Sequence, residues 1–271
     1  MLTNLDARQT PTELLPTEAP NSILKFRRPN QKTPFDRTTS LTAVQKFYMP
    51  LRRLLDFTAA LLLTLLALPI VLLAALAVRL TSRGPAFYTQ TRTGRNGRPF
   101  TILKIRTMIH NCESLTGPRW ALPGDPRVTP VGFILRATHI DELPQLWNVI
   151  VGDMSLIGPR PERPEIAEKL VRDIPRYYER LAVKPGISGL AQVQLPPDTE
   201  VKSAADKLLL DLSYIDHVGP WLDLKILFCT SLKLLTISAE RYRHLLRSAL
   251  PRSFDSSKLM VPARTAQRRA G

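Results

Sequence analysis

Two carboxylates stand side by side at Asp141 and Glu142, just before Pro144, with Arg136 upstream and Arg160 downstream. Proline is tolerated in the first turn of a helix and Asp is favoured there. The stretch "DELPQLWNVI" therefore predicts a helix beginning near Asp141, with Leu143, Leu146, Trp147 and Ile150 on its packed side. In the plainest reading Asp141 is a cap and Glu142 a surface acid that complements the helix dipole. The chemical reading starts from the same place. Free N–H groups at a helix start attract anions, but two carboxylates there would repel a phosphate unless a cation stood between. Mg²⁺ serves, because it takes one or two carboxylates together with substrate phosphate oxygens. Asp141 and Glu142 are thus candidate metal ligands. Arg136 and Arg160 would bind phosphate and keep Asp141 ionised, as a nucleophile must be. The turns of "GDMSLIGPRP" can carry Arg160 back to the pair.

A second set of cations lies upstream. Between Asp56 and Glu113 there is no acid, while Arg79, Arg83, Arg92, Arg95, Arg98, Lys104 and Arg106 all fall there. "FYTQTR" and "FTILKIRT" alternate and predict a hairpin that turns at "GRNGRP". Lys104 and Arg106 share one strand face at i, i+2, among apolar neighbours where an unpaired charge is costly. They are the candidate phosphate ligands of this strip; the arginines at 92 to 98 suit headgroups or solvent. In the turn-rich "KPGISGLAQV", Lys184 is a weaker candidate for a nucleotide phosphate.

These groups follow an intensely apolar run. Phe57 to Val78 carries no charge, and a straight helix of that length would reach ~33 Å, enough for a bilayer core. Two features compete with a simple span. Pro69 removes a backbone donor in mid-run. Arg52 and Arg53 precede the run while Arg79 and Arg83 follow it, and basic residues prefer the cytoplasmic side. A straight helix sends one pair across. A helix that dips in, breaks near Leu68-Pro69 and returns keeps both pairs on one side. Composition leaves both readings open.

The whole chain, 271 residues at formal charge +15, implies a polyanionic partner. No nucleic-acid motif is visible, and the basic strip adjoins the apolar run, so nucleic acid is not expected. Cys112 and Cys229 form no disulfide framework and have no metal-ligand spacing. Four parts are expected: a disordered tail over 1–45, a membrane helix over 46–80, a catalytic domain over 81–237 and a basic tail over 238–271. The fold class is mostly α with a small β element. The oligomeric state is left open, a homo-oligomer included.

"DELPQLWNV" and "GDMSLIGPRP" together resemble the signature of the bacterial sugar transferases, the monotopic polyprenyl-phosphate phosphoglycosyl transferases. The similarity continues through "RGPAFYTQTRTGRNGRPFTILKIRTM", "DPRVTPVGFILR", "KPGISGLAQV" and "DLSYIDHVGPWLDLKILFCTSLKLL", in the family's order. The resemblance is to the minimal catalytic form. It implies a two-step reaction at the bacterial inner membrane, on its cytoplasmic face. Asp141 would attack the sugar-bearing phosphate of a UDP-sugar and release UMP. Undecaprenyl phosphate would then take the phosphosugar, beginning an exopolysaccharide or other surface glycan. Glu142 would help hold Mg²⁺, and the apolar run would be a re-entrant helix broken at Pro69. The chain departs from the pattern at Leu68, where Ser is frequent, at Phe133, where a basic residue is usual, and at His139 and Ile140. His139 reads as a neutral helix-entry residue rather than a base. The rival readings are a glycosidase, whose carboxylates must oppose each other across the sugar, and a basic membrane anchor without catalysis that binds polyanions.

Overall fold

The computed structural model describes residues 43–112, 124–174, 176–196, 201–235, 237, 239–250 and 259. The expected N-terminal tail lies almost wholly outside these. Helix α1, Ala43–Thr81, is the longest element. Its most apolar stretch is 11% buried, unlike the core helix of a soluble protein, and by length and composition it could cross a membrane. Helical conformation runs through both Pro50 and Pro69. Pro69 still lacks an N–H, so the Leu65 carbonyl has no i+4 donor there; proline bends helices at such points without ending them.

The predicted hairpin is present. β1 (Phe87–Thr93) and β2 (Pro99–Ile105) pair antiparallel, with Tyr88 opposite Lys104. Asn96 and Gly97 at the tip have φ of 58° and 75°, the left-handed region that an Asn-Gly turn supplies at low strain. Helix α2 (Pro130–Ala137) is capped by Thr129, whose hydroxyl accepts from the Gly132 N–H at 3.0 Å. A 3-10 turn over Ile140–Gln145 runs into α3 (Leu146–Val151). β3 (Ser155–Ile157) and β4 (Gly186–Ser188) form a short parallel pair. Between them come α4 (Pro164–Asp173) and a 3-10 turn over Tyr177–Ala182. Then follow α5 (Leu190–Gln194), α6 (Val201–His217), α7 (Pro220–Leu234), α8 (Ala239–Tyr242) and a 3-10 segment over Arg243–Ala249. The described residues are thus mostly helical with two small β pairs.

The main core joins α4 to α7 through residues such as Leu170, Leu190, Leu208 and Ile226. It also takes in Tyr242, Leu246, Ala249 and Leu259. Buried packing therefore continues past 237 into the start of the expected basic tail. The apolar positions 242, 246 and 249 recur at helical spacing between the arginines, and burial follows that period rather than the charge.

Two smaller clusters join α1 to the lobe. Ala60 packs with Ile102, Leu146, Val149 and Met154; Ala74 and Val78 pack with Ile105 and Leu135. Both sides of Pro69 thus rest on one lobe. Arg52 is buried near the helix start, with its Nε 3.0 Å from the Asp223 carboxylate and an Nη2 bond to Ser155 Oγ at 2.8 Å. Tyr48 and Tyr214 donate to the same carboxylate at 2.7 and 2.8 Å. A buried charge so paired and hydrogen-bonded is tolerated, and removing one partner would strand the other.

The outward leucines of α1 have no such cover: Leu66 is 73% exposed and Leu73 68%. Trp221, Phe228, Trp147 and Phe133 are also exposed, a larger apolar surface than water-facing proteins usually carry. Trp147 corrects the expected packed side of α3: Leu146 and Ile150 pack inward as expected, but Asn148 and Val149 are buried while Trp147 faces out. The segment begins as 3-10, with three residues per turn, so a 3.6-residue period counted from Asp141 is not kept throughout and Trp147 falls outside the packed side.

Candidate active site

The dyad sits where α2 hands over to the 3-10 turn. His139 makes the corner at φ 56°, and its side chain caps nothing. The Glu142 N–H returns to the His139 carbonyl at 3.1 Å. This tight reversal buries Asp141 and faces Glu142 toward the hairpin, where Lys104 Nζ lies 2.8 Å from Glu142 Oε1. Arg160 reaches the same carboxylate from the other side, with Nη1 3.2 Å from Oε2 and Nη2 on Oε1. Among the described residues no group donates to the Asp141 carboxylate. The two acids therefore differ: Glu142 is clamped between cations, and Asp141 is held beside it with its oxygens uncommitted.

Ionisation follows this asymmetry. Burial opposes the charged form of Glu142, but Arg160 and Lys104 outweigh it and hold its pKa well below the usual range. Burial, and then the neighbouring Glu142, push the Asp141 carboxyl up; Lys104, Arg136 and Arg160 counter that rise. Burial lowers the Lys104 ammonium, opposed by Glu142.

Of the expected phosphate ligands, Lys104, Arg136 and Arg160 gather round the dyad. Arg136 bonds Thr107 Oγ1 through its Nε at 2.8 Å and is near enough to favour the charged form of Asp141. Arg106 does not join them. Its guanidinium donates to the carbonyls of Pro85 and Arg83, each at 2.6 Å, and to those of Ser82 and Gly84 at 3.1 and 3.2 Å. The strand ends at Ile105, so the i, i+2 face shared with Lys104 stops one residue short. Arg106 gathers the carbonyls just beyond α1. Lys184 also lies elsewhere, beside Arg53 at the far end of α3.

Three positioning features were not singled out in the sequence. Asn148 donates to the Thr101 carbonyl at 2.7 Å and accepts from the Leu103 N–H at 3.1 Å, binding α3 to β2 and so the dyad to Lys104. Its signal was a polar residue inside the apolar "LWNVIV", since a buried amide must find partners. Arg180 is buried, pairs with Asp211 at 2.7 Å and donates to the Arg160 carbonyl at 2.9 Å. Nothing local in the sequence marked it. Third, the loops carrying Arg160 and Lys184 cross at backbone contact. The Gly158 N–H donates to the Ser188 carbonyl at 2.8 Å, and a Cβ on Gly158 would stand 2.5 Å from the Lys184 carbonyl. Only glycine fits that crossing.

Mg²⁺ fits beside Asp141, since it needs only one or two carboxylates when phosphate oxygens complete its shell. Glu142 fits less well, because both its oxygens already face cations. Among the described residues no group of three or more His, Cys, Asp or Glu could form an all-protein metal site.

This lobe, with an acidic dyad under basic side chains and an uncovered apolar helix, belongs to a recognised class. Residues 47–237 match the bacterial sugar transferase family model, and the chain belongs to that family of transferase enzymes. It is 50% identical to the UDP-glucose:undecaprenyl-phosphate glucose-1-phosphate transferase of Caulobacter vibrioides, over 68% of this chain and 70% of that one. It is 42% identical to the UDP-N-acetylgalactosamine-undecaprenyl-phosphate N-acetylgalactosaminephosphotransferase of Aeromonas hydrophila, over 70% of this chain and 44% of the relative. The exopolysaccharide production protein PSS of Rhizobium leguminosarum is 36% identical over 69% of this chain and 96% of its own. The match thus spans most of some relatives and less than half of others.

Proposed function

We propose that the protein moves a phosphosugar from a UDP-sugar to undecaprenyl phosphate through a covalent intermediate on Asp141, as an initiating step of exopolysaccharide or related glycan synthesis. The observation that carries this is the contrast within the dyad: a clamped Glu142 beside an Asp141 whose carboxylate accepts no hydrogen bond among the described residues. An Asp141 oxygen attacks the sugar-bearing phosphorus. The bridge from that phosphorus to UMP breaks, and UMP leaves with the bridging oxygen. A phosphate oxygen of undecaprenyl phosphate then attacks the same phosphorus, forming the lipid diphosphate sugar and returning the carboxylate. One phosphoanhydride replaces another, so no further energy source is required.

Lys104, Arg136 and Arg160 hold the donor phosphates in line and oppose their charge, which is most of what phosphoryl transfer asks of a protein. Glu142 keeps Lys104 and Arg160 aimed at the reacting phosphate. Mg²⁺ at Asp141, when bound, supplies further charge neutralisation. The relatives named above differ in sugar, so the donor is proposed only as a UDP-sugar.

The acceptor's chain cannot leave a bilayer cheaply, at ~0.8 kcal/mol per CH₂, so the dyad must work at the interface. We place α1 in the cytoplasmic leaflet as a helix that enters, bends at Pro69 and returns. Its two halves packing on one lobe, and basic pairs at both ends, support this. The test is UMP release from a panel of UDP-sugars by protein in lipid, with intact-mass measurement in the absence of acceptor. A phosphosugar adduct on the wild type, and neither adduct nor UMP from Asp141→Asn, is expected. Normal turnover by that variant refutes the mechanism.

A further inference from the structure

The basic residues left over by the dyad converge at a second place. Gly152 closes α3 with φ 97°. A Cβ there would stand 2.9 Å from Arg53 Nη2 and 3.6 Å from Lys184 Nζ, so the two cationic heads meet over a bare backbone. Arg53 is partly committed: it donates to the carbonyls of Val149 and Ile150 at 2.6 and 2.8 Å, closing the C-terminus of α3. Lys184 has no hydrogen bond or ion pair among the described residues. It is half-buried, and Arg53 and Arg95 both act on its charge. Two acids also face it. Asp56 is buried and already accepts from Ser155 Oγ at 2.7 Å and the Leu156 N–H at 3.3 Å; Asp153 is exposed and makes no ion pair among the described residues. Two cationic heads thus share a spot, with Arg95 close enough to act on Lys184, and the nearest acids do not pair with them.

The location says what would neutralise them. Arg53 belongs to α1, between the exposed Leu51, Leu54 and Leu55. The dyad is at the opposite end of α3, so a group bound at Gly152 is not the reacting phosphate. We infer that Arg53 and Lys184, meeting at Gly152 with Arg95 adding its charge from the hairpin tip, hold the phosphate of an anionic bilayer lipid headgroup and so fix how deep the lobe sits. This rests on the proposed placement of α1 in the bilayer. Each cation near a lipid surface contributes roughly a fivefold gain in retention.

The test uses the full chain in neutral detergent, titrated with phosphatidylglycerol and followed by native mass spectrometry. The side chains of Lys184 and Arg95 make no hydrogen bonds among the described residues, so the double variant Lys184→Gln/Arg95→Gln should keep the wild-type melting temperature. Retention of one phosphatidylglycerol by the wild type, weakened roughly tenfold or more in the double variant, is expected. The charge-matched control Arg98→Gln/Arg172→Gln should retain lipid like the wild type. Equal retention by both double variants, or equal loss in both, overturns the site. Phosphatidylcholine retained as tightly as phosphatidylglycerol, or displacement by millimolar inorganic phosphate, overturns the anionic-lipid assignment. UMP release in the same samples keeps the two readings apart: a wild type that retains lipid but releases no UMP defeats the proposed reaction and leaves this site standing.

Discussion

At Asp141 and Glu142 identical chemistry is driven apart by neighbours. Burial, and then Glu142, raise the Asp141 carboxyl, while Arg160 and Lys104 depress that of Glu142. The reactive form of Asp141 is the ionised one. UMP release should therefore fall, as pH drops, at a value above the ordinary aspartate range. In Glu142→Gln a negative neighbour is gone and two cations are freed toward Asp141, so the acid limb should move to lower pH. An unmoved limb in a pH profile of the donor half-reaction would refute that coupling. Arg160→Lys replaces a two-pronged contact with a point charge, and a loss of roughly tenfold or more in kcat/KM is expected. Arg106→Gln should behave oppositely. It removes bonds to the carbonyls after α1 and should lower the melting temperature, while UMP release per folded molecule stays within about twofold of wild type.

At the scale of elements, the site depends on how α3 and the two crossing loops are held. Asn148→Leu leaves the Thr101 carbonyl and the Leu103 N–H without their partner. A destabilisation of about 1–3 kcal/mol is expected in denaturant titration, from the unsatisfied groups. Activity should fall as well, because Lys104 loses its register against Glu142. These effects were partly legible beforehand. The hairpin and its turn follow from alternation and an Asn-Gly dipeptide. The 3-10 start of the dyad segment did not follow, because Pro144 is compatible with either pitch and local composition does not choose between them. The place of Trp147 went with that choice.

For the whole molecule the question is how the lobe meets the bilayer. Single cysteines at Gln45 and Thr89 should both label from the cytoplasmic side of inverted vesicles. Labelling from opposite sides would establish a straight crossing and remove the acceptor's proposed route to Asp141. The Tyr48–Arg52–Asp223–Tyr214 network carries part of the same question. It ties the start of α1 to α6 and α7, so Asp223→Asn, which weakens the charge pairing of buried Arg52, should loosen the helix from the lobe. More rapid proteolysis in the α1–lobe region is the expected readout.

Residue identity alone determined the chemistry on offer. Adjacent acids before a proline, a strip of cations without acids and an uncharged apolar run each name a physical tendency that needs no fold to be read. Tertiary structure decided which members of each set act together. Lys104 and Arg106 are equivalent by spacing, yet one faces Glu142 and the other gathers carbonyls, because the strand ends between them. Arg180 and the glycine crossing are silent in sequence, and Asn148 shows there only as a polar residue in an apolar run, without its partners. Their roles depend on chain segments brought together by burial, and a contact between distant segments leaves no local pattern to read.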